Sequence, residues 1–108
     1  MNRGEIWTVA GGVYASKPRP AVIVQDDRFD GNDSVVVIPF TSTLVDAPLF
    51  RIPVAATATS GIQRDSHLMV DKISAVRRVN VRDRLGRLTA GQLVDVERGM
   101  LVFLGLAD

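Results

Sequence analysis

The segment Lys17-Pro18-Arg19-Pro20-Ala21-Val22-Ile23-Val24-Gln25 leaves its part of the chain few options. Pro18 and Pro20 donate no backbone hydrogen bond, and each holds the residue before it extended. Arg19 is therefore fixed in extended backbone at the mouth of the apolar run behind it. Ala21 to Val24 are all apolar, the pattern of a strand buried on both faces. A fixed positive charge stands at the end of a buried strand. It serves either as a surface ion-pair partner or as a binding group, and residues elsewhere must decide between them.

Further strands are predicted along the chain. Glu5-Ile6-Trp7-Thr8-Val9 alternates polar and apolar residues, a half-buried first strand with Trp7 in its core or at its rim. Gly11-Gly12 breaks it, and Val13 to Lys17 form a loop. Asp26 to Asp33 is a polar turn region with room for one helical turn. Val35 to Phe40 is a third strand, apolar on both faces, with Pro39 marking its end or an edge position. Thr41-Ser42-Thr43 adds three hydroxyls just past it. Arg51 to Val54 reads as an edge strand, Ala55 to Gly61 as a loop, and Ser66 to Val70 and Ile73 to Val76 as further strands. Asn80 to Leu88, with Gly86, reads as a basic connection. Thr89-Ala90-Gly91-Gln92 then fits a capping box. Leu93, Val96, Met100 and Leu104, joined by Val94 and Leu101, form the apolar stripe of a helix. Gly105 sits where such a helix ends.

Several short strands and one terminal helix predict a mainly β (α+β) fold, a small, strongly bent antiparallel sheet or barrel. With 108 residues and 46% hydrophobic content, the chain suits one domain over residues 1–108. No uncharged apolar run approaches the ~20 residues that span a bilayer. The N-terminus shows no signal-peptide pattern. A cytoplasmic protein without membrane contact is the expectation.

The net charge of +1 hides a segregation. Residues 26–50 carry Asp26, Asp27, Asp30, Asp33 and Asp46 against Arg28 alone. Residues 61–87 carry Arg64, Lys72, Arg77, Arg78, Arg82, Arg84 and Arg87 against Asp65, Asp71 and Asp83. Such asymmetry suits a polyanionic partner or a solvated, self-complementary surface.

Conventional catalytic motifs are missing. The chain has no cysteine and one histidine, His67, so thiolate sites, His pairs and HExxH are excluded. A lone histidine beside an apolar strand is more often structural than catalytic, and Asp26-Asp27 reads as a solvated turn. No phosphate loop and no dinucleotide fingerprint occur, so neither metal nor cofactor is expected. What remains is Arg19 with the hydroxyl of Thr41. Arg19 opens the second strand and Thr41 follows the third. If those strands are antiparallel neighbours, both groups reach the same edge. A guanidinium that forks onto two oxygens, with a hydroxyl donating to a third, grips a phosphate.

Arg3-Gly4-Glu5-Ile6-Trp7, Lys17 to Val24, Val37-Ile38-Pro39-Phe40-Thr41-Ser42, Gly61 to Ser66, Val70-Asp71-Lys72-Ile73 and the tail from Arg84-Leu85-Gly86 resemble, in order, the motifs of MazF/PemK-type toxins. The resemblance spans nearly the whole chain. It implies an SH3-like barrel with a C-terminal helix, a homodimer, metal-independent cleavage of single-stranded RNA and an antitoxin that blocks the site. Arg19 matches the family's catalytic arginine and Thr41 its catalytic threonine. Lys17, Tyr14, Ser42, Thr43, Arg77 and Arg78 are the candidate RNA contacts. The first loop is shorter here than in many members, which carry Gly and Glu before the RP motif, so substrate preference does not transfer.

In the expected chemistry the ribose 2′-OH attacks the adjacent phosphorus. Arg19 stabilises the developing charge, and Thr41 donates to a phosphate oxygen or helps protonate the leaving 5′ oxygen. Arginine is a poor base, so the general base stays open among His67, a carboxylate or another group. Two other readings remain: a CcdB-like gyrase poison, which needs neither Arg19 nor Thr41, and an SH3-like binding module without activity.

Overall fold

A computed structural model describes residues 1–11 and 17–108. Among these, seven strands precede one long helix: β1 Glu5–Val9, β2 Arg19–Ile23, β3 Ser34–Thr41, β4 Arg51–Val54, β5 Ser66–Met69, β6 Ser74–Arg77, β7 Val81–Arg87 and α1 Ala90–Phe103. The sheet runs β4-β5-β3-β2-β1-β7, and β6 lies against β3. Every pairing is antiparallel. The mainly β architecture with a terminal helix is the one expected, and β4 is indeed an edge strand.

β3 is the joint of the sheet. One edge pairs with β2 along Val37 to Pro39. The other pairs with β6 along Ser34 to Val37 and then with β5 at Phe40 and Thr41. The strand therefore runs through Pro39, which overturns the first of the two expectations for it, the end of the strand, and leaves the edge position. The Val24 amide donates to the Val36 carbonyl at 3.1 Å, so even-numbered residues of β3 turn their backbone groups toward β2. Pro39 then faces the other edge, at the gap between β6 and β5, where a missing N–H breaks no ladder bond.

Strand alternation divides the apolar residues into two groups. Ile6, Val22, Ile38, Phe40, Ile52, Leu68 and Val70 form the main core, which Val96 of α1 completes. Ala21, Ile23, Val35 and Val37 point the opposite way and pack with Trp7, Val9, Val76 and Val81. This is the physical reason β2 and β3 read as unbroken apolar runs: each is buried on both faces. Trp7 sits at the rim of the second group.

The largest departure from expectation is residues 80–88. They are no loose connection. Val81 to Arg87 form β7, which pairs with β1 from Glu5↔Arg87 to Val9↔Val81, with two register irregularities. Gly86 lies where β7 crosses the 57–61 loop. A Cβ there would stand 2.2 Å from the Thr59 carbonyl oxygen and 2.5 Å from that of Ser60.

The helix begins as predicted. Thr89 Oγ1 accepts the Gln92 amide at 3.2 Å, and the Gln92 side chain accepts the Thr89 amide at 2.8 Å. Gly105 follows its end at φ 74. Its buried stripe is narrower than the periodicity implies. Val96 is fully buried and Leu93 and Met100 pack on the core, but Val94, Leu101 and Leu104 are exposed. Arg3 ties the helix to the sheet: its Nε donates to the Val24 carbonyl at 3.1 Å, and its guanidinium lies 3.3 Å from Glu97.

Candidate active site

The register of β2 and β3 positions the two principal side chains. The pairs Ala21↔Pro39, Val22↔Ile38 and Ile23↔Val37, continued by two residues, set Arg19 level with Thr41. Both residues lie within their strands. Odd-numbered residues of β3 turn their backbone groups away from β2, which makes this a non-hydrogen-bonded position. Arg19 shares its face with Ala21 and Ile23, and Thr41 shares that face through Val37 and Pro39. Both groups thus stand on the outer face, beside the second apolar cluster.

Arg19 is exposed and Thr41 half-buried. Thr41 Oγ1 accepts the Thr43 amide at 3.1 Å. That contact occupies a lone pair and leaves the hydroxyl hydrogen free to donate. Arg19 and Arg77 line a groove of about 410 Å³ together with Ser74, Asn80, Ala21 and Pro39. The groove thus offers two guanidiniums and a polar rim over an apolar floor.

The other sequence-derived candidates divide. Lys17, Ser42 and Thr43 are exposed next to Arg19 and Thr41 in the chain. Tyr14 lies outside the described residues. Arg77 joins Arg19, but Arg78 belongs to a different neighbourhood. Its Nε donates to the Asn32 carbonyl at 2.7 Å, and it sits with Met1, Asp26, Asp27 and Asp30. Through that contact Arg78 braces the 26–33 turn, away from the groove that Arg19 and Arg77 share.

His67, one of the open choices for the general base, is placed by its cross-strand neighbours. β5 sets His67 directly opposite Thr41, and β4 sets Pro53 opposite His67. Arg19, Thr41, His67 and Pro53 thus form one row across β2, β3, β5 and β4 on a single face. His67 Nδ1 accepts the Val45 amide at 3.4 Å. Nearby, Arg51 forks onto Asp71 with contacts of 3.0 and 3.2 Å. This pairing holds the Asp71 carboxyl below the ordinary carboxylate range.

The fold is a bent, wholly antiparallel seven-stranded sheet closed over by one C-terminal helix, the architecture of a small class of β proteins. The chain belongs to the family of PemK-like, MazF-like toxins of type II toxin–antitoxin systems, matched over residues 2–104. It is 48% identical over 108 residues to the probable endoribonuclease MazF of Mycolicibacterium smegmatis, with 99% of each chain covered. It is 31% identical over 116 residues to endoribonuclease MazF9 of Mycobacterium tuberculosis, with 98% of each covered. In fold it resembles the Mycobacterium tuberculosis toxin MazF-mt6, with a TM-score of 0.82 at 20% identity, covering 96% of this chain and 99% of that one. A mycobacterial endoribonuclease in complex with its cognate antitoxin gives a TM-score of 0.80 at 20% identity, over 100% and 98%.

Proposed function

We propose that this chain is the toxin of a toxin–antitoxin pair and acts as a metal-independent, sequence-specific endoribonuclease on single-stranded RNA. The observation that supports this reading is the β2–β3 register, which aligns Arg19 with Thr41 when continued two residues past Ala21↔Pro39, in a chain whose relatives are named endoribonucleases.

The chemistry starts from the substrate. A ribose 2′-OH is tethered beside the phosphorus, so no water need be activated. As the 2′-oxygen–phosphorus bond forms and the 5′-oxygen–phosphorus bond breaks, negative charge grows on the phosphoryl oxygens. Arg19 supplies a forked, permanently charged donor to them. The free Thr41 hydroxyl donates to a phosphate oxygen or toward the leaving 5′ oxygen. One proton leaves the 2′-oxygen and one reaches the 5′-oxygen, and no base is assigned to the first transfer. Lys17, Ser42, Thr43 and Arg77 flank the pair and suit the neighbouring phosphates and bases.

The reading extends to assembly. A second copy of the chain is proposed to form a two-fold dimer. The exposed apolar residues Leu44, Leu49, Leu101 and Leu104 favour such cover. The antitoxin is proposed as an acidic and apolar segment that folds over the basic groove, with the cytoplasm as the shared compartment. No helix among the described residues is long and apolar enough to cross a membrane.

The test incubates purified protein with a long RNA in EDTA and analyses both fragments by mass spectrometry. The expected ends are a 2′,3′-cyclic phosphate, or the 3′-phosphate it opens to, and a 5′-hydroxyl. A substrate with a single 2′-deoxy sugar 5′ to the cut should resist. A 5′-phosphate, loss of cleavage in EDTA, or efficient cutting of the deoxy substrate overturns the mechanism.

A further inference from the structure

Two backbone amides of the turn after β3 are held by side chains that face each other across two strands. Thr41 Oγ1 takes the amide of Thr43 and His67 Nδ1 takes that of Val45. Thr41 and His67 are direct cross-strand partners. His67 and the turn also wall one cleft of about 370 Å³, with Leu44, Asp46, Ala47, Pro48, Arg51 and Pro53 around it. The only histidine of the chain thus touches the segment that carries Thr41, Ser42 and Thr43.

We propose that His67 is a positioning residue for the cleavage reaction: its neutral ring latches the 42–47 turn through Val45 and so fixes where Thr41, Ser42 and Thr43 meet the substrate. The proposal rests on the cleavage reading. An Nδ1 that accepts a hydrogen bond carries no proton, so the neutral ring keeps its proton on Nε2. A second proton enters at Nδ1, where the Val45 N–H already points. Two donors then oppose each other, and the latch opens.

The charged groups around the ring come from three elements. Arg51 approaches from β4, with its charge already forked onto Asp71 beyond β5. Asp46 approaches from the turn itself. β3 presents Thr41, and Arg19 lies one strand further along the row. None of these groups replaces the acceptor at Nδ1.

The variants separate the latch from bulk. His67→Asn places an amide oxygen near the Nδ1 position and does not titrate. His67→Gln reaches only the Nε2 position, and His67→Val removes both. Wild-type kcat should fall at a pH low enough to charge the ring. His67→Val and His67→Gln should lower kcat by about 10–100-fold at neutral pH, as loose positioning does, with KM little changed. His67→Asn should restore most of the rate and abolish the acid-side fall. The Val45 amide resonance should titrate with the His67 ring in the wild type and stay fixed in His67→Asn.

A Val45 amide that ignores the titration of the ring overturns the latch. So does His67→Asn behaving like His67→Val while both variants keep the wild-type circular dichroism. A Val45 amide that follows the ring in a protein that cuts no RNA at any pH supports the latch and refutes the cleavage reading, so the two failures are distinguishable.

Discussion

Replacing Gly86 by alanine tests the crossing of β7 over the 57–61 loop. The new Cβ would meet the Thr59 oxygen at 2.2 Å, the Ser60 oxygen at 2.5 Å and the Ser60 carbonyl carbon at 2.6 Å, all of them backbone. Ordinary contact begins at 3.4 Å, so the two segments must part by about 1 Å, a strain of the overpacking kind. Neither gives way freely. The Arg87 amide donates to the same Thr59 carbonyl at 2.9 Å, and Ser60 Oγ donates to the Ala55 carbonyl at 2.8 Å. From the other side Gly61, at φ 70, brings its own Cα hydrogens against the Leu85 carbonyl. Gly86 has no positive φ, so the cost is steric and lies at the upper end of the overpacking range, about 3 kcal/mol. For a domain of this size that lowers Tm by about 12–20 °C. The assay is thermal unfolding followed by circular dichroism. Gly31→Ala, whose Cβ would meet nothing within 4 Å, is the control. A Gly86→Ala melting curve superimposed on that of the control refutes the crossing.

Three further outcomes are expected. Arg19→Ala and Thr41→Ala should each lower RNA cleavage by about 100-fold or more, the scale for one lost transition-state donor, with wild-type melting curves; full rates in both folded variants remove the pair from the site. Asp71→Asn should cost about 1 kcal/mol at pH 7. Because Arg51 depresses the folded Asp71 pKa, this contribution is complete above the unfolded value near ~3.9 and disappears as pH falls through the folded value; an equal deficit at pH 7 and pH 2 in urea unfolding contradicts that pairing. Light scattering should give a dimer at micromolar concentration, and a monomeric mass with cleavage retained rules out a required second copy.

How much of the fold was legible in the sequence depends on how strongly each residue constrains its surroundings. β2 and β3 were readable because burial on both faces demands unbroken apolar residues, and the Thr89–Gln92 capping box is a local motif. The adjacency of β2 and β3, on which the pairing of Arg19 with Thr41 was argued, was readable because two apolar strands joined by a short polar turn pair antiparallel. β7 was not readable. Val-Arg-Asp-Arg-Leu-Gly-Arg offers few apolar side chains, and its partner β1 lies about 80 positions earlier with an irregular register. The helix stripe was overestimated because periodicity shows which residues align and not how much sheet lies beneath them. His67 gained meaning only from its partner, since nothing local distinguishes it from a histidine on any half-buried strand.

The pairing of β1 with β7 also bears on how the toxin is made. β1 receives its outer neighbour only when residues 81–87 have been synthesised. Leu88, which is buried, donates its amide to Gly4 at 2.9 Å, and Val96, with no exposed surface, fills the core. Arg19, Thr41 and His67 are all translated earlier, on strands whose barrel is still open. Contacts of such long sequence separation form slowly and late. A nascent chain therefore carries Arg19, Thr41 and His67 without the scaffold that aligns them, and a fragment that ends before α1 is expected to lack RNA cleavage activity.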